Sequence, residues 1–407
     1  MARQSGKSKT GPNLEQMGTD TQLSHLGRDS HAYHGFVNTP VVRASTVLFE
    51  SVEAMEARHD DSPLKPKYTY GLNGTPTIDA LADTINTLED AAGTVLVPSG
   101  LAAVTLPILA IAEPGMRLLV PDNVYWPTRR FCDLTLKRLG VETVYYDPMI
   151  GAGIGELMVG AKSCALFTEA PGSNTFEMPD LNAFLAAAKA HDVITMIDNT
   201  WATPLIYKPI PAGFDYSIQA ATKYLAGHSD LLIGSVSSSE RAWHALSSTR
   251  EALGIQAGTE EMFLTLRGIR SLRVRLEQHE KSALAIAQWL EVQPFVTKVM
   301  HPALPSDPGH ALWLELFNGR ASGLFGFELN GTRDQARTML NAFELFGLGY
   351  SWGGYESLAV LADLEHCRTA RPWAGGPVIR LQIGLEDIDD LMADISAGVK
   401  AADLPTG

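Results

Sequence analysis

Val193-Ile194-Thr195-Met196-Ile197-Asp198 is an apolar, β-favouring run closed by a single acid. Its length and content predict a buried strand with a carboxylate at its C-terminal end. The same unit recurs on the upstream side. Thr94-Val95-Leu96-Val97 leads through Pro98-Ser99-Gly100 into an apolar helix from Leu101, and Pro114-Gly115 turns the chain into Arg117-Leu118-Leu119-Val120. A helix over Pro127 to Leu139, a strand over Val141 to Tyr146, the run Cys164-Ala165-Leu166-Phe167-Thr168 and a helix near Asp180 to His191 complete the series. Strands alternating with helices predict an α/β fold with a mainly parallel sheet covered on both faces. Ligands of such sheets bind at the carboxyl ends of the strands, where Ser99, Asp122, Glu169 and Asp198 fall.

The flanks read differently. Residues 2 to 20 show no apolar period and predict a disordered tail, and Leu23 to Pro66 read as an irregular arm lying on another surface. Leu81, Ile85 and Leu88 mark one helical face that Gly93 should stop. Beyond Leu266 a helical stretch carries Arg267, Arg270, Arg273 and Arg275, expected to be a solvated or interface face. Phe325 to Leu329 and Val378 to Gly384 belong to a smaller α+β unit. The expected division is a tail and arm over 1–66, a large domain over 67–268 and a small C-terminal domain over 269–407.

Composition narrows the function. The 407 residues are 45% hydrophobic and 19% charged, ordinary for a globular chain. A formal charge of −14 argues against nucleic acid or an anionic membrane surface as partner. No apolar run reaches transmembrane length, and no secretory signal follows Arg3, Lys7 and Lys9. Cys132, Cys164 and Cys367 lie far apart, as structural thiols of a reducing compartment do. A cytoplasmic location is expected.

Downstream of Asp198 comes Ser217-Ile218-Gln219-Ala220-Ala221-Thr222-Lys223-Tyr224. An amine behind a small-residue loop can condense with an aldehyde, and an acid at a strand end can keep a pyridine nitrogen protonated; pyridoxal 5'-phosphate requires both. Ser99-Gly100-Leu101 opens a helix whose free N–H groups suit a phosphate, although Pro-Ser-Gly is also an ordinary turn. Thr222 offers a hydroxyl to the same anion. Tyr125 follows the second strand, where its ring can stack on the cofactor and its phenol exchange protons, or simply pack in a loop. Asn174 stands where it can reach the cofactor's ring oxygen. Arg380, alone in an apolar strand, needs an anion, and a substrate carboxylate fits. His31-x-x-His34 has metal-pair spacing without a third ligand, so no metal is expected. Gly151-x-Gly153-x-Gly155 follows Pro148 rather than a strand, and Gly-x-Ser-x-Gly is absent, which weighs against dinucleotide-binding and hydrolase readings.

Taken together, Asp198-Asn199-Thr200-Trp201-Ala202-Thr203-Pro204, Thr222-Lys223-Tyr224 with Gly227-His228-Ser229-Asp230, and Tyr350-Ser351-Trp352-Gly353-Gly354-Tyr355-Glu356-Ser357 resemble the Cys/Met-metabolism family of pyridoxal-phosphate enzymes, of fold type I. The resemblance implies a seven-stranded sheet in the large domain. It makes Lys223 the cofactor-linked lysine and Asp198 the partner of the pyridine nitrogen. It puts Tyr125 on the ring and the phosphate on Ser99, Gly100, Leu101, Thr222 and Tyr70. Arg380, helped by Tyr350, Ser351 and Trp352, would take the substrate α-carboxylate. Tyr350-Ser351-Trp352-Gly353-Gly354 matches the family's β-lyases, where γ-lyases and γ-synthases usually carry Glu-Ser-Leu-Gly-Gly. That implies β-elimination on L-cystathionine or a related amino acid; γ-elimination on the same scaffold and a non-catalytic cofactor-binding protein are the alternatives. The family builds its active site across a dimer interface and usually assembles as a homotetramer. There a Tyr-x-Arg segment from one subunit meets the neighbour's cofactor phosphate. Here the segment reads Tyr70-Gly71-Leu72, with Leu72 in the arginine's place.

Overall fold

Twelve strands form two sheets in the computed structural model, which describes residues 14–57, 66–365 and 367–406. The first sheet contains β1 (Gly93–Val97), β2 (Arg117–Pro121), β3 (Glu142–Tyr146), β4 (Cys164–Glu169), β5 (Ile194–Asp198), β6 (Tyr216–Gln219) and β7 (Gly234–Ser238). Its order is β1-β7-β6-β5-β4-β2-β3. All neighbours run parallel except β7, which is antiparallel to both β1 and β6. The apolar runs are buried on both faces, as a helix-covered parallel sheet requires.

The second sheet contains β8 (Val296–Met300), β9 (Leu324–Leu329), β10 (Gly347–Leu348), β11 (Leu358–Leu361) and β12 (Val378–Gln382), in the order β10-β11-β12-β9-β8. Phe325, Phe327, Ile379 and Leu381 fill its own core. The helix Leu272–Glu291 joins the two units. Leu272 and Leu276 near its start sit in the core that the first sheet shares, and Ala283, Ile286 and Leu290 in that of the second.

Several expectations need correction. The helix Pro76–Glu89 buries Leu81, Ile85 and Leu88 as its period predicts, but Asp90 ends it in the left-handed conformation, and Gly93 instead opens β1. Thr75 caps its start, accepting the Ile78 N–H at 3.2 Å. The helix expected from Pro127 to Leu139 runs as an α-helix over Trp126–Phe131 and a π-turn over Cys132–Leu136.

The tail expected over residues 2 to 20 lies outside the described residues up to residue 13, but its end is not disordered. Helix Thr19–His25 buries Leu23, and Leu26 follows it into the core. A second short helix, Val52–Glu56, lies in the segment expected to be an irregular arm. The arginine stretch explains the first of these. Arg270 donates to Leu23 O and Leu26 O, both at 2.6 Å, and Arg273 pairs with Asp20. Arg275 is buried and donates to Gly268 O at 2.9 Å. These cations therefore bind backbone and the arm rather than forming a solvated face. No helix among the described residues is long and apolar enough to cross a membrane.

Candidate active site

The carboxyl ends of β1, β4 and β5 and the loop after β6 surround a cavity of about 220 Å³, closed on the far side by residues of the second unit. Ser99, Gly100, Leu101, Tyr125, Asn174, Asp198, Thr222, Lys223, Tyr350, Trp352 and Arg380 all line it. Segments as far apart in sequence as Ser99 and Arg380 thus converge where the alternating pattern predicts a ligand.

Asp198 closes β5, and the Thr200 backbone N–H (3.0 Å) and hydroxyl (2.5 Å) both donate to its Oδ1. Burial raises its pKa, while those bonds and Lys223 favour the charged form. Lys223 donates from Nζ to Ser351 Oγ at 2.8 Å, and the same Nζ lies 5.3 Å from the centre of the Trp352 ring. Burial, then Arg380, lowers the amine to about 8, so a neutral base is accessible near physiological pH. Ser351 therefore meets the lysine through its hydroxyl, while its carbonyl lies 3.5 Å from Arg380 Nη2.

This arrangement depends on a glycine. Gly353 has φ +83°, and a Cβ there would lie 2.9 Å from Tyr224 N and 3.0 Å from Lys223 Cβ. Only glycine lets the 350–354 loop lie directly on the lysine. Tyr224, next in sequence, is buried; its hydroxyl accepts the Gly323 N–H at 2.8 Å and reaches Gln382 at 3.4 Å.

Arg380 projects from β12 and donates to Tyr350 O at 2.8 Å, with burial lowering it to about 10. Tyr125 stands at the N-cap of the helix Trp126–Phe131, its ring half exposed at the cavity mouth. Burial, then Asp198 and Glu169, raises its phenol.

At the other end, Ser99 caps the helix Gly100–Ile111 by accepting the Ala102 N–H at 3.1 Å, which leaves the Gly100 and Leu101 N–H groups for a ligand. A Cβ on Gly100 would sit 2.5 Å from Ala220 Cβ, so the helix start lies flush against the lysine loop. Thr222 is engaged elsewhere, its hydroxyl donating to Ile233 O (3.0 Å) and accepting the Ile233 N–H (2.9 Å).

Tyr70 is not part of this chain's cavity. It bridges Thr46 in extended pairing, its phenol accepts from Ser45 at 3.2 Å, and its ring is half exposed. The Leu72 carbonyl accepts from Arg250 at 2.5 Å. Glu169 was placed at a strand end without a role, yet it lines the cavity beside Asp198. The signal was present: it closes β4 just as Asp198 closes β5.

The donors fit pyridoxal phosphate. A part-buried acid, a part-buried amine with a lowered pKa, an aromatic ring and a helix N-terminus line one space, and an arginine is left for a carboxylate.

Comparisons agree. The chain is 52% identical over 394 residues to a putative cystathionine beta-lyase of Rhizobium johnstonii, covering 96% of this chain and 98% of that one. It is 43% identical over 388 residues to the cystathionine beta-lyase of Escherichia coli, covering 93% and 97%. Its fold superposes on the cystathionine gamma synthase of Xanthomonas oryzae pv. oryzae, solved with aminoacrylate and cysteine, at a TM-score of 0.86 and 30% identity over 95% of this chain and 99% of the other. The model of the Cys/Met metabolism PLP-dependent enzymes matches residues 20–400, and the chain belongs to that family.

Proposed function

We propose that this enzyme is a carbon–sulfur lyase that performs β-elimination on L-cystathionine or a close analogue, giving homocysteine, pyruvate and ammonia. The observation that carries this reading is the Tyr350–Gly354 loop folded onto the lysine, with Ser351 Oγ 2.8 Å from Nζ. Similarity to proteins named cystathionine beta-lyase supports it.

Bound pyridoxal phosphate supplies an electron sink for the pair left when a Cα–H bond breaks. The chain's residues do the rest. Arg380 orients the substrate by its α-carboxylate. Neutral Lys223 Nζ takes the Cα proton, and Ser351 holds that nitrogen on line. Asp198 would hold a proton on the ring nitrogen. Tyr125, at the mouth, has a phenol placed to move a proton at the substrate amine. The Gly100 and Leu101 N–H groups and the Ser99 hydroxyl would hold the phosphate, and Asn174 would serve the ring oxygen.

We further infer a cytoplasmic homotetramer built as a dimer of dimers and serving methionine biosynthesis. Tyr70, exposed and outside its own cavity, is available to a neighbouring copy's phosphate. The three unpaired cysteines suit a reducing compartment. The two sheets are read as two domains, 67–268 and 269–407. Product analysis on L-cystathionine, L-methionine and L-canavanine tests the reaction. Pyruvate with homocysteine is the expected outcome; 2-oxobutyrate or homoserine without pyruvate would replace it with γ-elimination.

A further inference from the structure

Glu169 and Asp198 are register partners on adjacent parallel strands, and both line the cavity. Residues so paired present their side chains to the same face of the sheet. Their surroundings differ. Asp198 takes two hydrogen bonds from Thr200 and feels the Lys223 charge. Glu169 forms no ion pair among the described residues. Its Oε2 accepts the Tyr125 backbone N–H at 2.9 Å, and its Oε1 accepts the Ser173 hydroxyl at 2.5 Å. Tyr125 begins a helix with no side-chain cap of its own, and its phenol makes no hydrogen bond among the described residues. The Tyr125 carbonyl accepts the Thr128 (2.9 Å) and Arg129 (3.3 Å) N–H groups within the helix, and the Glu169 carboxyl is the polar tether on its amide side.

We propose that Glu169 is a positioning residue for Tyr125, fixing the ring over the cavity through its main-chain amide, and that it works as an uncharged acid, so that Asp198 alone is the anion at that end. The inference rests on the cofactor reading of the cavity. Two adjacent carboxylates in a part-buried site cannot both ionise cheaply, and the one without a cation keeps the proton. The charged and titratable groups facing this end are Asp198 from β5, Lys223 from the loop after β6, Arg380 from β12, and the Tyr125 and Tyr350 phenols. Burial, then Asp198, pushes Glu169 up to about 8, in line with that assignment. An ionised Glu169 would compete with Asp198 for the proton at the ring nitrogen.

The test uses full-length protein loaded with pyridoxal phosphate. It reads the cofactor dissociation constant and the visible circular dichroism of the bound cofactor, which reports how the ring sits against its neighbours. Glu169→Ala should weaken cofactor binding about tenfold and alter the dichroism, because the tether is lost. Glu169→Gln, an uncharged isostere that can keep both bonds, should rescue most of the binding and restore the signal. In a Tyr125→Ala background, adding Glu169→Ala should change the dissociation constant by less than about twofold. A Gln variant as damaged as the Ala variant would overturn the uncharged-acid assignment. A full Glu169→Ala effect without Tyr125 would overturn the positioning role. Wild-type protein with no cofactor dichroism would instead sink the cofactor reading beneath both.

Discussion

The two ends of the cavity are built on opposite principles. At the inner end stand its carboxyl, amine and guanidinium groups among the described residues: Asp198, Glu169, Lys223 and Arg380. At the other, around Ser99, Gly100 and Leu101, there are only a helix N-terminus and hydroxyls. Within one chain Asp198 and Lys223 have partners and Glu169 a reason to be neutral, while Arg380 holds only the Tyr350 and Ser351 carbonyls and is left for a carboxylate. The end proposed for the phosphate offers dipoles worth a fraction of a full charge, and Leu72 stands where the resemblance implies a cation. The contrast locates the reaction's electrostatics in this chain and leaves part of cofactor retention to whatever packs beside it.

That contrast can be broken most sharply at the inner end. Lys223→Ala should lower kcat by on the order of 10³-fold or more, because the base at Cα is gone; steady-state turnover near wild type would refute its role. Asp198→Asn should cost on the order of 10²-fold in kcat with pyridoxal phosphate still bound, since the residue acts on developing charge rather than on retention. Loss of binding with unchanged kcat would reverse that division. Arg380→Lys should reduce kcat/KM roughly 10- to 100-fold, mostly through KM, as a forked donor becomes a point charge.

The phosphate end responds to addition rather than removal. Leu72→Arg should tighten cofactor binding about tenfold, read as the dissociation constant at low salt and weakened by added salt. An unchanged constant would mean that the segment lies nowhere near a phosphate in the assembled enzyme.

The smallest effect on turnover belongs to a group behind the inner end. Glu89 is fully buried; Ser217 (2.9 Å) and Gln219 (3.3 Å) donate to its Oε1, and Gln219 also donates to Asn199 O at 3.2 Å, next to Asp198. Burial raises Glu89 from 4.5 to about 7. The folded state thus holds this proton more tightly than the unfolded chain. Its contribution to stability is full below pH 4.5 and is lost as pH rises through about 7. Glu89→Gln should remove that loss, roughly 3 kcal/mol, and flatten the fall in Tm between pH 5 and 8. A parallel fall in both proteins would refute it.

Legibility followed the physics of each region. The buried strands β1, β2, β4 and β5 are readable because their runs are apolar on both faces and each ends in a polar signal, whereas β6, Tyr216–Gln219, with Ser217 and Gln219 in it, reads as part of the loop before Lys223. Asp198, Lys223 and the helix start at Gly100 came from the same punctuation. The antiparallel insertion of β7 was not readable, since Gly234–Ser238 is rich in serine and carries no mark of direction. The end of the tail reads as disordered because the order of helix Thr19–His25 comes from Arg270 and Arg273, far along the chain, and not from its own pattern. Glu169 was passed over because one acid per strand end is unremarkable until two strands are placed side by side. Tyr70 was readable only by resemblance, and its place outside the cavity is a property of the single chain.

Tyr224 has a wider consequence. Its hydroxyl is fastened to Gly323 and Gln382 on the second unit while its backbone adjoins Lys223, and Gly353 presses on the same peptide from that side. The reactive amine is therefore mounted on a seam. Any rocking of one sheet against the other tugs on the lysine, so looseness between the halves is expressed first as a misaimed base. Heating should accordingly abolish cofactor dichroism and helical signal in one transition, with no surviving half-molecule that still holds its ligand.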